Sequence, residues 1–275
     1  MKRRAAAQLK SLLQALAFCL AAAFALVVAS IVSRHVPGWS EEVVVGAVGV
    51  LLTLALTTTF LSCQRKSFDD IGLAPDRNTA TRFVIGLALG LTLVALHLAI
   101  VAGTGHVSWI RNSAIDARGV VAAALGYGLL ALREEIAFRA YPLRTLLPAF
   151  GALGAQLFMM AIFVAEHRLG GATWSNAVFG AGLGALVFSM AALATRGIAL
   201  PFGLHAAWNL GDWMRGGKGD HGLWIMRIEE GHSVQISTIA MVAYASLMLL
   251  PLVVFSVLYR RNRIASSHHA DCSAK

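Results

Sequence analysis

The chain has 275 residues, 57% of them apolar and only 13% charged, against about 25% charged in an ordinary soluble domain, so a water-soluble fold is excluded. A membrane-spanning helix needs about 20 mostly apolar residues, so the apolar content furnishes at most about eight spans and leaves no room for a large soluble domain. The formal charge of +9 is concentrated where hydrophobic runs end. It therefore reads as topology and attraction to anionic lipid rather than as a nucleic-acid footprint.

In chain order, four cations (Lys2, Arg3, Arg4, Lys10) precede an apolar run from Leu12 to Val32. That run is longer than a signal-peptide core and is expected to be a retained first span. Further runs occupy Val43 to Leu61, Phe83 to Ala102, Val120 to Leu147, Leu153 to His167, Trp174 to Thr195, Ile198 to Met214 and Val234 to Tyr259. The fold class expected is thus an all-α polytopic membrane helix bundle of about eight transmembrane helices.

The organisation expected is three N-terminal spans over 1–118, a core over 119–214, and an extramembrane loop, last span and disordered tail over 215–275. The turn between the fourth and fifth spans is expected near Pro148 to Gly151. Tyr141-Pro142 should kink the fourth, because proline removes a helix hydrogen bond. Gly211 to Gly231, rich in Gly and charge, reads as a loop, and the segment after Arg263 as disorder.

Gly86 to Gly90 and Gly180 to Gly184 are small-residue spacings that let helices approach closely. Cys19, Cys63 and Cys272 have no paired spacing, which argues against a disulfide framework or thiolate metal site.

With the N-terminus inside, alternate segments collect the four leading cations, Arg65, Lys66, Arg77 and Arg82, then Arg133, Arg139 and Arg144, then Arg196, and finally Arg260, Arg261, Arg263 and Lys275. They outnumber the cations of the other side, so both termini are expected in the cytoplasm of what reads as a bacterial inner or plasma membrane.

Few ionisable residues fall inside apolar runs, where each costs about 2.5–3.5 kcal/mol on the lenient insertion scale. The fourth run carries Glu134-Glu135-Ile-Ala-Phe-Arg139. Adjacent helical residues point about 100° apart, so the two glutamates are not expected to face one partner. Glu135 and Arg139 stand four apart with the acid first, the favourable order for a helical ion pair, which leaves Glu134 for other work such as general-base catalysis.

Phe163-Val-Ala-Glu-His167 lies near the end of the fifth run and His205-Ala-Ala-Trp-Asn209 within the seventh. If the chain turns near Pro148 to Gly151, antiparallel packing brings Glu134 and His167 to comparable depth. Asp212 continues the His205 and Asn209 stripe and reads more simply as an interfacial carboxylate. Glu166 reads as a helix-end carboxylate near Arg168, and His97 as a packed or hydrogen-bonded core histidine.

These three motifs, EExxxR, FxxxH and HxxxN, each in its own span, resemble the CPBP intramembrane proteases, which include the type II CAAX prenyl endopeptidases and bacteriocin-processing or immunity proteins. The resemblance covers about Gly119 to Asp212, and departs from the family in having Ala140 where glycine is common after Phe-Arg.

It implies an intramembrane endopeptidase acting on membrane-associated or CAAX-like substrates. Glu134 would activate water with His167, Glu135 and Arg139 would organise that base, and His205 with Asn209 would stabilise the oxyanion. No cofactor is favoured. Zinc held by Glu134, His167 and His205 is the metallopeptidase variant of the same reading.

The partners implied are a peptide or membrane-protein substrate and the lipid bilayer, with no nucleic acid. Alternatives are a non-catalytic membrane scaffold or immunity protein, in which the polar knot only holds helices, and a proton-coupled transporter. The absence of an inverted repeat counts against the transporter.

Overall fold

A computed structural model describes residues 2–273, so Lys275 of the cation tally lies outside the described residues. Eight α-helices follow one another: α1 (Lys2–Ser33), α2 (Glu41–Gln64), α3 (Thr79–Ala102), α4 (Ala117–Glu135), α5 (Tyr141–Leu169), α6 (Leu183–Thr195), α7 (Ala199–Met214) and α8 (Ser233–Ser273). Local chemistry fixes several starts. Ser40 caps α2, its hydroxyl accepting from the Val43 N–H at 3.4 Å, and Glu41 and Glu42 follow at the positive end of the helix dipole. Asp116 caps α4 by accepting from the Gly119 N–H at 2.8 Å.

Among the described residues, six helical stretches are long and apolar enough to cross a membrane, and the protein is an all-α polytopic membrane bundle. The number is smaller than the eight spans expected, for two reasons. Helix α7 has only 16 residues, and residues 117–169 run as one nearly unbroken helical stretch.

Inside that stretch the backbone leaves helical geometry at Gly151 (φ 69, ψ 179), just after Pro148, where the turn was expected. Arg133 pairs with Glu166 and Phe138 meets Phe163 edge to face, two pairs centred on about the same residue as the kink. The chain therefore doubles back there, and the two arms run antiparallel.

Helix α4 gives way to a π turn over Ile136–Ala140 before α5 begins. Pro142 lacks the N–H that would bond the Phe138 carbonyl, and its ring crowds that carbonyl, so the helix widens immediately upstream. Ala140 sits there at φ −83, a conformation that makes no demand for glycine.

Helices α3 and α7 meet with almost no side chain between them. A Cβ on Gly86 would strike the Leu200 carbonyl oxygen, and one on Gly203 the Phe83 carbonyl oxygen. The second expected spacing faces α8: Gly184 lies against the Tyr244 hydroxyl, which donates to the Gly180 carbonyl at 2.7 Å.

Two departures from expectation concern the polar segments. The Gly211 to Gly231 segment is not simply a loop: α7 continues to Met214, and Trp224–Ile228 forms a strand, β2, antiparallel to β1 (Val107–Arg111) with Val107 opposite Ile228. Both strands are rich in β-branched and aromatic residues, which favour this pairing. The segment after Arg263, expected to be disordered, continues as helix to Ser273. It holds neither Gly nor Pro, and extending a helix already nucleated costs little.

Candidate active site

The first arm of the doubled-back stretch carries Glu134, Glu135 and Arg139, the second carries His167, and α7 brings His205 and Asn209 beside them. Glu135 is wholly buried; its Oε1 accepts from His205 Nδ1 at 2.9 Å and lies 3.5 Å from an Arg139 guanidinium nitrogen. The i, i+4 pair expected from sequence is therefore present, with an added histidine.

Glu134 Oε2 lies 3.6 Å from His205 Nε2, with its side chain 18% exposed. The two glutamates thus converge on a single ring, contrary to the expectation that they could not share a partner. An imidazole offers nitrogens on two edges, so carboxylates pointing in different directions from one helix can take one edge each.

Because a carboxylate only accepts, the 2.9 Å contact fixes a proton on His205 Nδ1. The ring is also stacked on Phe188 at 4.4 Å and 18°. Both its rotation and its tautomer are thereby set.

His167 is held in the same way. Its Nδ1 lies 2.9 Å from the Phe163 carbonyl oxygen one turn earlier, which requires Nδ1 to be the donor and leaves Nε2 free. Its ring leans on Phe163 at 4.3 Å, which gives the phenylalanine of the FxxxH spacing a physical role.

Arg139 is almost fully buried, and its three guanidinium nitrogens have no hydrogen-bond acceptor. Aromatic faces substitute: the guanidinium lies 4.6 Å from the Phe163 ring and 5.4 Å from that of Phe188. The rings that hold the two histidines therefore also hold the cation.

His167, His205 and Asn209 line one cavity of about 530 Å³, bordered by Met226 and Ile228 of β2 and by Ala240 and Tyr244 of α8. Asp212 also borders it but is engaged by Arg215 at 2.5 Å and Lys218 at 3.6 Å. His97 bonds the Ala240 carbonyl at 2.9 Å and packs against Trp208, as expected.

Glu166 differs from expectation. Its partner is the buried Arg133 at 2.5 Å, which also donates to the Ala22 carbonyl at 3.1 Å, while Arg168 turns to the Ala172 carbonyl. Arg133 stands next to Glu134, so this bridge fixes the two arms in register at the site. The sequence carried the signal as an arginine inside an apolar run; its partner required knowledge of the fold-back.

Glu134, His167 and His205 do not bring one ligand atom each within 4.8 Å of one another; among the described residues that closeness is met only by His106, Glu229 and His232. His205 has also committed one nitrogen to Glu135.

Residues 116–211 match the family model described as type II CAAX prenyl endopeptidase Rce1-like, which spans all the residues of this site. No curated protein matches the chain. The match supports a CPBP-family intramembrane protease, at the level of family, in an integral membrane protein.

Proposed function

We propose that this chain, with its Rce1-like segment over 116–211, hydrolyses peptide bonds within the membrane by a glutamate-activated water and without a catalytic metal. The observation that carries the proposal is the clamp on His205, with Glu135 Oε1 at 2.9 Å on one edge and Glu134 Oε2 at 3.6 Å on the other. Such a clamp positions Glu134, whose buried Oε2 has no hydrogen-bond partner, directly behind a fixed imidazole that lines the cavity.

In the first step Glu134 takes a proton from water, and the water oxygen bonds to the scissile carbonyl carbon as the carbonyl π electrons move to oxygen. The resulting oxyanion accepts hydrogen bonds from the Asn209 amide and from Nε2 of His205 in its charged form. The C–N bond then breaks, with the proton held by Glu134 passing to the leaving nitrogen. Products are a carboxylic acid and an amine.

His167, with Nδ1 tied to Phe163 and Nε2 free, orients the water or carries its proton. Glu135 and Arg139 act through His205 and are positioning residues.

Zinc would need Glu134, His167 and His205 to close on one point. Their present spacing and the commitment of His205 to Glu135 do not favour it. The substrates proposed are peptide segments of membrane-associated or CAAX-like proteins, small enough to thread a cavity of about 530 Å³. Both termini are assigned to the cytoplasm.

The test is comparative proteomics of cells carrying the wild-type protein or Glu134→Gln, with and without a zinc chelator. Uncleaved substrate accumulates in the variant, and the chelator leaves wild-type cleavage intact. Unchanged cleavage in Glu134→Gln would overturn the assignment of the base, and chelator sensitivity the metal-free chemistry.

A further inference from the structure

At the end of the two-stranded sheet, a second polar cluster lies outside the set of catalytic residues proposed above. His106 ends the connection from α3 to β1, and Glu229 and His232 lie in the connection from β2 to α8. His106 Nδ1 is 2.5 Å from Glu229 Oε2, His232 Nδ1 is 3.9 Å from the same oxygen, and the two imidazoles stack at 3.7 Å with 15° between planes. One ligand atom from each residue lies within 4.8 Å of the others.

We propose that His106, Glu229 and His232 form a binding site for a divalent cation of the Zn²⁺ class, three protein ligands with an open position for water. Two imidazole nitrogens and one carboxylate are a donor set that zinc accepts at about 2.0–2.2 Å, which in tetrahedral geometry separates donor atoms by about 3.3–3.5 Å. The two contacts to Glu229 Oε2 lie on either side of that separation; His232 Nδ1 also donates to the Glu230 carbonyl at 3.2 Å, a bond it must give up to turn a lone pair toward the ion. A side-chain shift of an ångström or less would bring both into range.

Imidazoles stacked this closely repel when both are charged. A cation bound here takes the place of two protons, the one between His106 Nδ1 and Glu229 and the one His232 Nδ1 directs at the Glu230 carbonyl. The site is partly open, with side-chain exposures of 34% for His106, 61% for Glu229 and 30% for His232, so a hydrated ion can enter.

Its placement gives it a consequence. The backbone already joins the two connections, the Glu229 N–H donating to the His106 carbonyl at 3.0 Å. Ile228 and Ile236, which flank Glu229 and His232 in sequence, both line the catalytic cavity. A bound ion would lock the strap formed by β2 and the start of α8 over that cavity.

The proposal does not depend on the catalytic reading, and its test separates the two. Tag-free, full-length protein in detergent is titrated with Co²⁺ as a spectroscopic stand-in for Zn²⁺, then with Zn²⁺ in competition. The wild type should take up one equivalent of Co²⁺ with visible ligand-field absorption that Zn²⁺ displaces. That equivalent should be absent in His106→Ala/His232→Ala, weakened at least tenfold in the milder Glu229→Gln, and retained in Glu134→Gln/His205→Ala.

Zn²⁺ should also slow hydrogen exchange over residues 228–236 in the wild type and not in Glu229→Gln. No uptake by the wild type, or an equivalent that survives in His106→Ala/His232→Ala, would overturn the proposal. So would an equivalent lost only from the Glu134 and His205 variant, which would instead locate the metal among the catalytic residues.

Discussion

Glu135 and Glu134 are neighbours in sequence and opposites in physical situation. Glu135 has no exposed surface, and its Oε1 meets both Arg139 and His205. Neutralising it leaves a buried guanidinium without a counter-ion, and breaking a buried pair from one side costs about 3–5 kcal/mol. Glu135→Gln should therefore lower stability by about 3 kcal/mol, read as a fall in the midpoint of thermal unfolding in detergent.

Glu134 makes only a 3.6 Å approach to His205, and its buried Oε2 has no hydrogen-bond partner to lose, so Glu134→Gln should cost clearly less stability than Glu135→Gln while abolishing cleavage. Equal destabilisation by the two variants would contradict this division of roles. The division was half legible beforehand. The i, i+4 spacing of Glu135 and Arg139 is local and can be counted along one helix. The joint hold on His205 depends on the register between α4 and α7, about which spacing within either motif says nothing.

At the scale of elements, the site rests on how closely α7 approaches α3. A Cβ on Gly90 would stand 2.6 Å from the Ala207 Cβ and 2.7 Å from the Leu204 carbonyl oxygen, and those residues flank His205. Gly90→Val should push α7 outward, and cleavage should fall at least tenfold while the protein still inserts, as checked by a protease assay alongside membrane fractionation. This follows from the sensitivity of catalysis to displacements of about 1 Å.

The start of α3 offers a pH-dependent counterpart. Asp76 accepts from the Asn78 N–H at 2.9 Å and pairs with Arg82 at 2.9 Å. These contacts, the backbone bond foremost, hold its carboxyl below the ordinary value of 3.8. A depressed carboxyl contributes stability above its unfolded pKa and loses it as pH falls through the folded one. Hydrogen-exchange protection over residues 76–82 should accordingly be intact at neutral pH, fade in acid below about 3.8, and already be reduced at neutral pH in Asp76→Ala.

Elements that break helices were the easiest to foresee. Pro148 and Gly151 mark the reversal because one lacks a donor and the other tolerates φ 69. The two-stranded sheet was not foreseen, since five-residue strands more than 100 residues apart in sequence have no local pattern that identifies each as the other's partner.

At the scale of the whole molecule, the distribution of cations and the path of the chain make one joint prediction about orientation. The end of the bundle where α1 begins also holds Arg65, Lys66, Arg77 and Arg82. The turn at Gly151 lies there too, since Gln8 of α1 donates to the Ala149 carbonyl at 3.1 Å. The Gly72 carbonyl accepts from the Ile198 N–H at 3.2 Å, bringing Arg196 to the same end. The opposite end carries the two-stranded sheet.

An excess of Lys and Arg in short connections marks the cytoplasmic side, so the α1 end should face the cytoplasm and the two-stranded sheet, with His106 and Glu229, the exterior. Cys63 is exposed near the α1 end, whereas Cys19 is buried. In a Cys272→Ser background, a membrane-impermeant maleimide should label Cys63 in inside-out vesicles and not in intact cells. A cysteine introduced at Ser108, exposed on β1, should show the reverse. Labelling of Cys63 from outside would invert the bundle, opening the cavity beneath the two-stranded sheet toward the cytoplasm and restricting the proposed substrates to segments presented from that side.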